Sequence, residues 1–244
     1  MSSLKSAANL HISANASACA GDLCNFIIEK SNEAIKKNGF FRVGLSGGSL
    51  VKFLSEELPK KNIEWSKWKI FFCDERHVPE DHPECTFTLY DKSLFSKVGI
   101  PKENVFKNDS NLTVEQAAER YEKLIKEEFE TDSPRFDMLL LGMGPDGHTC
   151  SLFPNHQLLN VKDKIVAFIK DSPKPPPERI TLTMPILLNC DNAVFCSCGD
   201  GKKEMVKEVL ENQNMDFPAA RVQPVKGSLH WFMDKGAAGL LSNI

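Results

Sequence analysis

Apolar positions along the chain alternate between the spacing of a helix and that of a buried strand. From Ala14 to Lys37, Leu23, Phe26, Ile27, Ala34 and Ile35 fall on one helical face, and Asn38-Gly39 supplies the stop. Phe40–Leu45 is a compact apolar run, interrupted by Arg42, that leads into Ser46-Gly47-Gly48-Ser49 and then into the helical spacing of Leu50, Phe53, Leu54 and Leu58. Strand, glycine turn and helix are predicted in that order. Trp68–Cys73 reads as a second buried strand, running into Asp74-Glu75-Arg76-His77, four ionisable side chains expected in a turn. Thr113–Phe129 reads as an acidic amphipathic helix. Phe136–Leu141, the most apolar strand candidate, ends in Gly142-Met143-Gly144-Pro145-Asp146-Gly147-His148.

Asp171–Glu178 holds four prolines, which excludes helix and central strand, and is expected as an ordered loop. Beyond it, Arg179–Thr183 and Ala193–Cys198 read as strands, Lys202–Leu210 as a helix behind Gly199-Asp200-Gly201, and Lys235–Leu241 as a closing helix. Strands alternating with helices predict an α/β fold: a mostly parallel, Rossmann-like sheet with helices on both faces, in one domain over residues 1–244. In such sheets ligands bind beyond the carboxyl ends of the strands. The polar clusters after Leu45, Cys73, Leu141 and Cys198 all take that position, so one pocket is expected to collect them.

Composition narrows the partners. A chain of 244 residues is long enough to bury about 70% of its unfolded surface. Thirty Lys and Arg against 33 Asp and Glu give a net charge of -3, which supplies no overall basic field for nucleic acid or an anionic membrane. The apolar runs fall well short of the roughly 20 residues that span a bilayer. Met1–Cys19 shows no basic segment followed by an apolar one, so the eight cysteines are expected as reduced thiols in the cytoplasm.

Several motifs carry candidate chemistry. Ser46-Gly47-Gly48 lies between strand and helix, where free N–H groups favour an anion; the alternative is a tight turn without a ligand. Gly44-Leu45-Ser46-Gly47-Gly48 also satisfies G-x-S-x-G, which admits a serine esterase using Ser46 with His230 as its base. Gly142–Gly147 satisfies G-x-G-x-x-G, but a dinucleotide turn must open a long helix, and Pro154 arrives too soon. No nicotinamide cofactor is therefore expected. Those glycines instead bring Asp146 and His148 to the mouth of a strand, where an imidazole can take or give a proton near neutral pH. Arg76 offers a fork of donors for a phosphate, and Arg179 and Lys202 are further candidate cations. Cys196-Ser197-Cys198 is not C-x-x-C, and His77 with His82, or His148 with His156, lacks a close ligand set, so no metal site is expected.

Taken together, Leu45–Ser49, Cys73–Pro79, Leu140–Pro154 and Pro177–Thr183 closely resemble the eukaryotic type of 6-phosphogluconolactonase, within the glucosamine-6-phosphate isomerase/6-phosphogluconolactonase family. The block from Leu140 through His148 to Pro154 is the most specific part. The resemblance implies hydrolysis of 6-phosphoglucono-1,5-lactone, a small sugar-phosphate lactone, in the oxidative pentose phosphate pathway, with no cofactor. It further implies that His148 is the general base acting on water, that Asp74 and Asp146 orient the site, and that Ser46, Gly47, Gly48, Arg76, Lys202 and Arg179 contact phosphate or sugar. Hexosamine-6-phosphate deaminases of the same family place a glutamate five residues past the histidine, where this chain has Phe153. Leu50 and Cys85-Thr86 depart from the Thr-Pro and Ser-Asn of many lactonases. A non-catalytic sugar-phosphate binding module is the remaining alternative, and the sequence leaves the oligomeric state open.

Overall fold

The computed structural model describes residues 8–242, in which nine strands form two sheets. In chain order these are β1 (Asn9–Ser13), β2 (Phe41–Leu45), β3 (Trp68–Phe72), β4 (Asp74–Arg76), β5 (Met138–Leu141), β6 (Val166–Ile169), β7 (Arg179–Leu182), β8 (Asn192–Ser197) and β9 (Ser228–Asp234). Six of them make a wholly parallel sheet in the order β1-β9-β8-β5-β2-β3. The predicted α/β architecture is thus present. The other three make an antiparallel sheet in the order β4-β7-β6.

The parallel sheet is apolar on both faces because helices cover both. Along β5, Met138 and Leu140 enter the core that holds Leu23, Ile27, Leu54 and Trp68, while Leu139 and Leu141 enter the opposite core with Tyr121, Ile125, Phe195 and Trp231. This is why Phe136–Leu141 reads as an unbroken apolar run rather than an alternating one. The first core is closed by α1 (Ala16–Asn38), which starts where the Asn15 side chain accepts from Ala18 N and stops at Gly39 in the left-handed region. The second is covered by the helix Val114–Phe129, whose Thr113 and Gln116 form a capping box. Among the described residues no helix is long and apolar enough to cross a membrane.

Arg179–Leu182 is a strand as predicted, and it pairs antiparallel in the small sheet. One prediction is corrected. The first three residues of Asp74-Glu75-Arg76-His77 form the short strand β4 rather than a turn, because Leu182 N donates to Cys73 O and draws the chain off β3 onto β7. Unforeseen as well were β1, β6, β9 and the short helix α3 (Thr86–Tyr90). β1 is an edge strand exposed at Asn9 and Leu10, so it lacks the apolar run that marks the central strands.

The topology decides where the site lies. From β2 the chain moves outward to β3, then returns across β2 to β5 and continues to β8 and β9. The strand order therefore reverses between β2 and β5, and the crevice at such a reversal is where ligands lodge. Ser46 and Gly142, the residues that follow those two strands, open onto one cavity.

Candidate active site

That cavity has a volume of about 350 Å³. It is lined by Ser46, Gly47, Gly48, Asp74, Arg76, Gly144, His148, Arg179, Cys196, Ser197, Cys198 and Lys202. The clusters after Leu45, Cys73, Leu141 and Cys198 do converge. A larger surface groove of about 1040 Å³, bordered by Arg135, Met184 and Val225, contains none of the residues singled out from the sequence.

One wall is the Ser46-Gly47-Gly48 turn and the start of α2 (Ser49–Glu57), where no side chain caps the opening N–H groups and only Val51 N, donating to Gly48 O, is turned back into the chain. Gly48 sits at φ 72°, which only glycine adopts without strain. The turn is held from behind by α3, since the Tyr90 hydroxyl donates to Ser46 O at 2.8 Å. α3 is in turn anchored by Glu75, whose buried carboxyl accepts from Arg76 N at 2.8 Å, Thr86 N at 2.8 Å and Phe87 N at 2.7 Å. Burial pushes the Glu75 carboxyl up to about 7, against those three N–H donors. The hydroxyls of Ser46 and Ser197 are buried in the cavity wall with no partner. A polar atom left in that state is costly unless a ligand or water completes it. A lone serine at a strand end carries no motif, so nothing in the sequence marks Ser197.

The opposite wall is the loop after β5. Gly144 N donates to His148 O at 2.9 Å and Thr149 Oγ1 to Gly142 O at 2.9 Å, folding the loop back on itself. A Cβ on Gly144 would stand 2.0 Å from both Cε1 and Nδ1 of His148, so glycine is what allows the imidazole to lie there. His148 Nδ1 is 2.5 Å from Asp146 Oδ1. An ionised carboxylate only accepts, so the neutral ring carries its proton on Nδ1 and leaves Nε2 as the basic nitrogen. Lys174, from the proline-rich loop, reaches Asp146 Oδ1 at 2.9 Å and lies 3.1 Å from His148 Nδ1. With Nδ1 protonated, Lys174 acts on the ring as a charge, not as a donor. Partial burial opposes the Asp146 anion, but hydrogen bonds from His148 and Lys174 hold its pKa down at about 2. Burial lowers the pKa of His148 below 6.5, the Asp146 carboxylate working against that shift and the Lys174 charge with it. Lys174 was not identified from the sequence; its only signal was a single lysine among the prolines.

The cations come together across sheets. Arg76 stands directly opposite Arg179 in the β4-β7 register. Arg76 Nη1 donates to Glu84 O at 3.1 Å and pairs with Glu84 Oε2 at 2.6 Å. Arg179 donates through Nε to Pro176 O and through Nη2 to Lys174 O and Pro175 O, so it fixes the loop that carries Lys174. Lys202, at the start of the helix Lys203–Leu210, donates to Met143 O at 2.7 Å, and burial lowers its pKa. Asp74 accepts from Ser151 Oγ at 2.8 Å and ties β4 to the histidine loop.

His230 is not brought to Ser46. Its Nδ1 lies 3.2 Å from His11 Nε2 and its ring packs on Phe26, outside the cavity lining. The serine–histidine arrangement admitted by G-x-S-x-G is therefore absent from the described residues. Gly142–Gly147 opens a loop rather than a helix, in keeping with the rejection of a dinucleotide turn. Phe153 packs on the His148 ring with centroids 4.8 Å apart, and the Arg179 guanidinium lies over the Phe153 ring, 5.9 Å from its centroid. Leu50 and Cys85 are buried and do not line the cavity.

Residues 14–231 match the model of a family described as glucosamine-6-phosphate isomerases/6-phosphogluconolactonase. The chain is 47% identical over 227 residues to a 6-phosphogluconolactonase of Rattus norvegicus, covering 90% of this chain and 88% of that protein. It is 50% identical over 209 residues to the 6-phosphogluconolactonase of Homo sapiens, covering 83% and 81%. Its fold is similar to the crystal structure of a 6-phosphogluconolactonase from Thermotoga maritima, with a TM-score of 0.82, 29% identity and coverage of 93% and 100%.

Proposed function

Since this chain belongs to the glucosamine-6-phosphate isomerase/6-phosphogluconolactonase family, we propose that it hydrolyses 6-phospho-D-glucono-1,5-lactone to 6-phospho-D-gluconate, a step of the oxidative pentose phosphate pathway. The observation that carries this reading is the Asp146–His148 pair, hydrogen-bonded at 2.5 Å, in a cavity that also collects Arg76 and Lys202. His148 Nε2 takes a proton from water as the water oxygen attacks the lactone carbonyl. The tetrahedral oxyanion is met by N–H groups of the glycine-rich loops. As the C–O bond to the ring oxygen breaks, the imidazolium returns its proton to that oxygen, and the acid product leaves. Asp146 holds the ring and its tautomer, while Asp74 positions the loop through Ser151. Ser46, Gly47 and Gly48 with Arg76 and Lys202 hold phosphate and sugar hydroxyls, and Arg179 serves chiefly by fixing the Lys174 loop.

The family also holds deaminases, and Phe153 favours the lactonase. An aromatic ring packed on His148 supplies neither the carboxylate nor the proton relay of a deaminase, and it contributes to the burial that lowers the His148 pKa. No cofactor enters the proposed steps. The eight free thiols suit a reducing compartment, and we place the reaction in the cytoplasm. The test is lactone hydrolysis followed against its spontaneous rate, with and without the 6-phosphate. Acceleration of the phosphorylated lactone supports the reading; binding of 6-phosphogluconate with no acceleration would make the protein a sugar-phosphate binding module.

A pH profile tests the role of Lys174. A general base must be neutral, so kcat/KM should fall as the pH drops through the His148 pKa, which lies below 6.5. Lys174→Gln removes a charge that lowers that pKa, so the acid limb of the variant should move to higher pH. A profile unmoved, with only a uniform loss of rate, would assign Lys174 to loop structure alone.

A further inference from the structure

Three thiols from distant parts of the chain meet beside the cavity. Cys196 lies in β8 and Cys198 directly follows its last residue, Ser197, and the two-residue spacing sets both side chains on the same face. Cys19, in the opening turn of α1, packs onto that face. The three sulfur atoms lie within 4.8 Å of one another, and all three residues are free cysteines. Cys19 is fully buried and closes the cluster from behind, whereas Cys196 and Cys198 line the cavity. A tetrahedral zinc ion, with Zn–S bonds of about 2.3 Å, holds its sulfurs about 3.8 Å apart. The cluster therefore needs to contract by no more than about 1 Å to reach that spacing.

We infer that Cys19, Cys196 and Cys198 form a three-thiolate site for a thiophilic divalent cation of the zinc class, with the fourth coordination position open to the cavity. Binding displaces the three thiol protons to solvent and forms three metal–sulfur bonds, with no change of oxidation state. Three thiolates and a divalent ion carry a net charge of -1 where three thiols carried none, on the wall that holds Lys202. Occupancy should accordingly raise KM for the phosphorylated lactone, a consequence that rests on the lactonase reading. The site itself does not.

Its test is a binding measurement on the reduced, chelator-stripped full chain, titrated with Zn²⁺ against a chromophoric chelator and separately with Co²⁺. One ion per chain is expected, with thiolate-to-cobalt charge-transfer absorption and the visible bands of a tetrahedral site. Cys19→Ser and Cys198→Ser should each weaken binding by at least about 10–100-fold, since a lost ligand costs no less than a lost supporting partner. Cys24→Ser and Cys190→Ser, which alter buried thiols outside the cluster, should leave it unchanged. Should Cys19→Ser not fold, Cys198→Ser carries the test, because Cys198 is only half-buried. Absence of the charge-transfer band in the unsubstituted chain, or equal affinity in folded Cys198→Ser, overturns the site and makes the three thiols core packing. An absence of lactone hydrolysis in the metal-free protein would overturn the lactonase reading and leave the binding result standing.

Discussion

His148→Ala should lower kcat for the phosphorylated lactone by about 10²–10⁴-fold, the usual contribution of a positioned general acid-base group. Binding of 6-phosphogluconate should stay within several-fold. The two effects separate because the imidazole moves protons, whereas the phosphate is assigned to Arg76, Lys202 and the Ser46–Gly48 turn. Gly144→Ala offers an independent route to the same loss. It leaves the histidine in place but puts a methyl 2.0 Å from Cε1 and Nδ1, so the ring must leave its partner Asp146. Steady-state kinetics with a binding titration of product decide the matter. Unsubstituted turnover in His148→Ala would remove this residue from the chemistry, and a loss confined to KM would count against a base.

Charge on the phosphate wall has the next largest expected effect. A hydrogen bond to a charged group contributes about 1.5–3 kcal/mol, so Lys202→Gln should lower kcat/KM by roughly 10–150-fold on the phosphorylated lactone. Arg76→Gln should fall at the lower end of that range. Arg76 Nη1 is already engaged by Glu84, and part of what a phosphate gains from the guanidinium offsets that lost pairing. Lys202 instead donates to a neutral carbonyl, that of Met143. Both variants should hardly alter the slow hydrolysis of unphosphorylated gluconolactone. Equal losses on the two substrates, with circular dichroism showing the fold intact, would mean that these side chains serve the lactone chemistry and that the phosphate lies elsewhere.

The Asp146-Gly147-His148 turn was legible because its chemistry is local. Gly144, Pro145 and Gly147 around Asp146 and a buried strand ahead of it confine the carboxylate and imidazole to one strand mouth, whatever the rest of the chain does. Lys174 was not legible in the same way. A lysine in a proline-rich loop is ordinarily a surface cation, and here it reaches Asp146 only because Arg179 binds the carbonyls of Lys174, Pro175 and Pro176. The support beneath Ser46 was equally hidden, since it passes from Glu75 through α3 to the Tyr90 hydroxyl. His230 shows the converse: a motif admitted it as the base for Ser46, and packing against His11 and Phe26 keeps it away.

By itself the sequence determined the strands β2, β3, β5 and β8, the long helices and the sites of the glycine turns, because apolar periodicity and positive-φ residues act over a few neighbouring positions. It also determined that several polar clusters follow strands, and hence that a shared cavity forms at their carboxyl ends. Only the tertiary structure decided that β4 leaves the parallel sheet to face β7, which sets Arg76 opposite Arg179, and that Cys19 of α1 meets Cys196 and Cys198 of the β8 end. Such pairings depend on which surfaces bury one another across long separations in the chain, and no local pattern encodes a partner whose only signal is the space it fills.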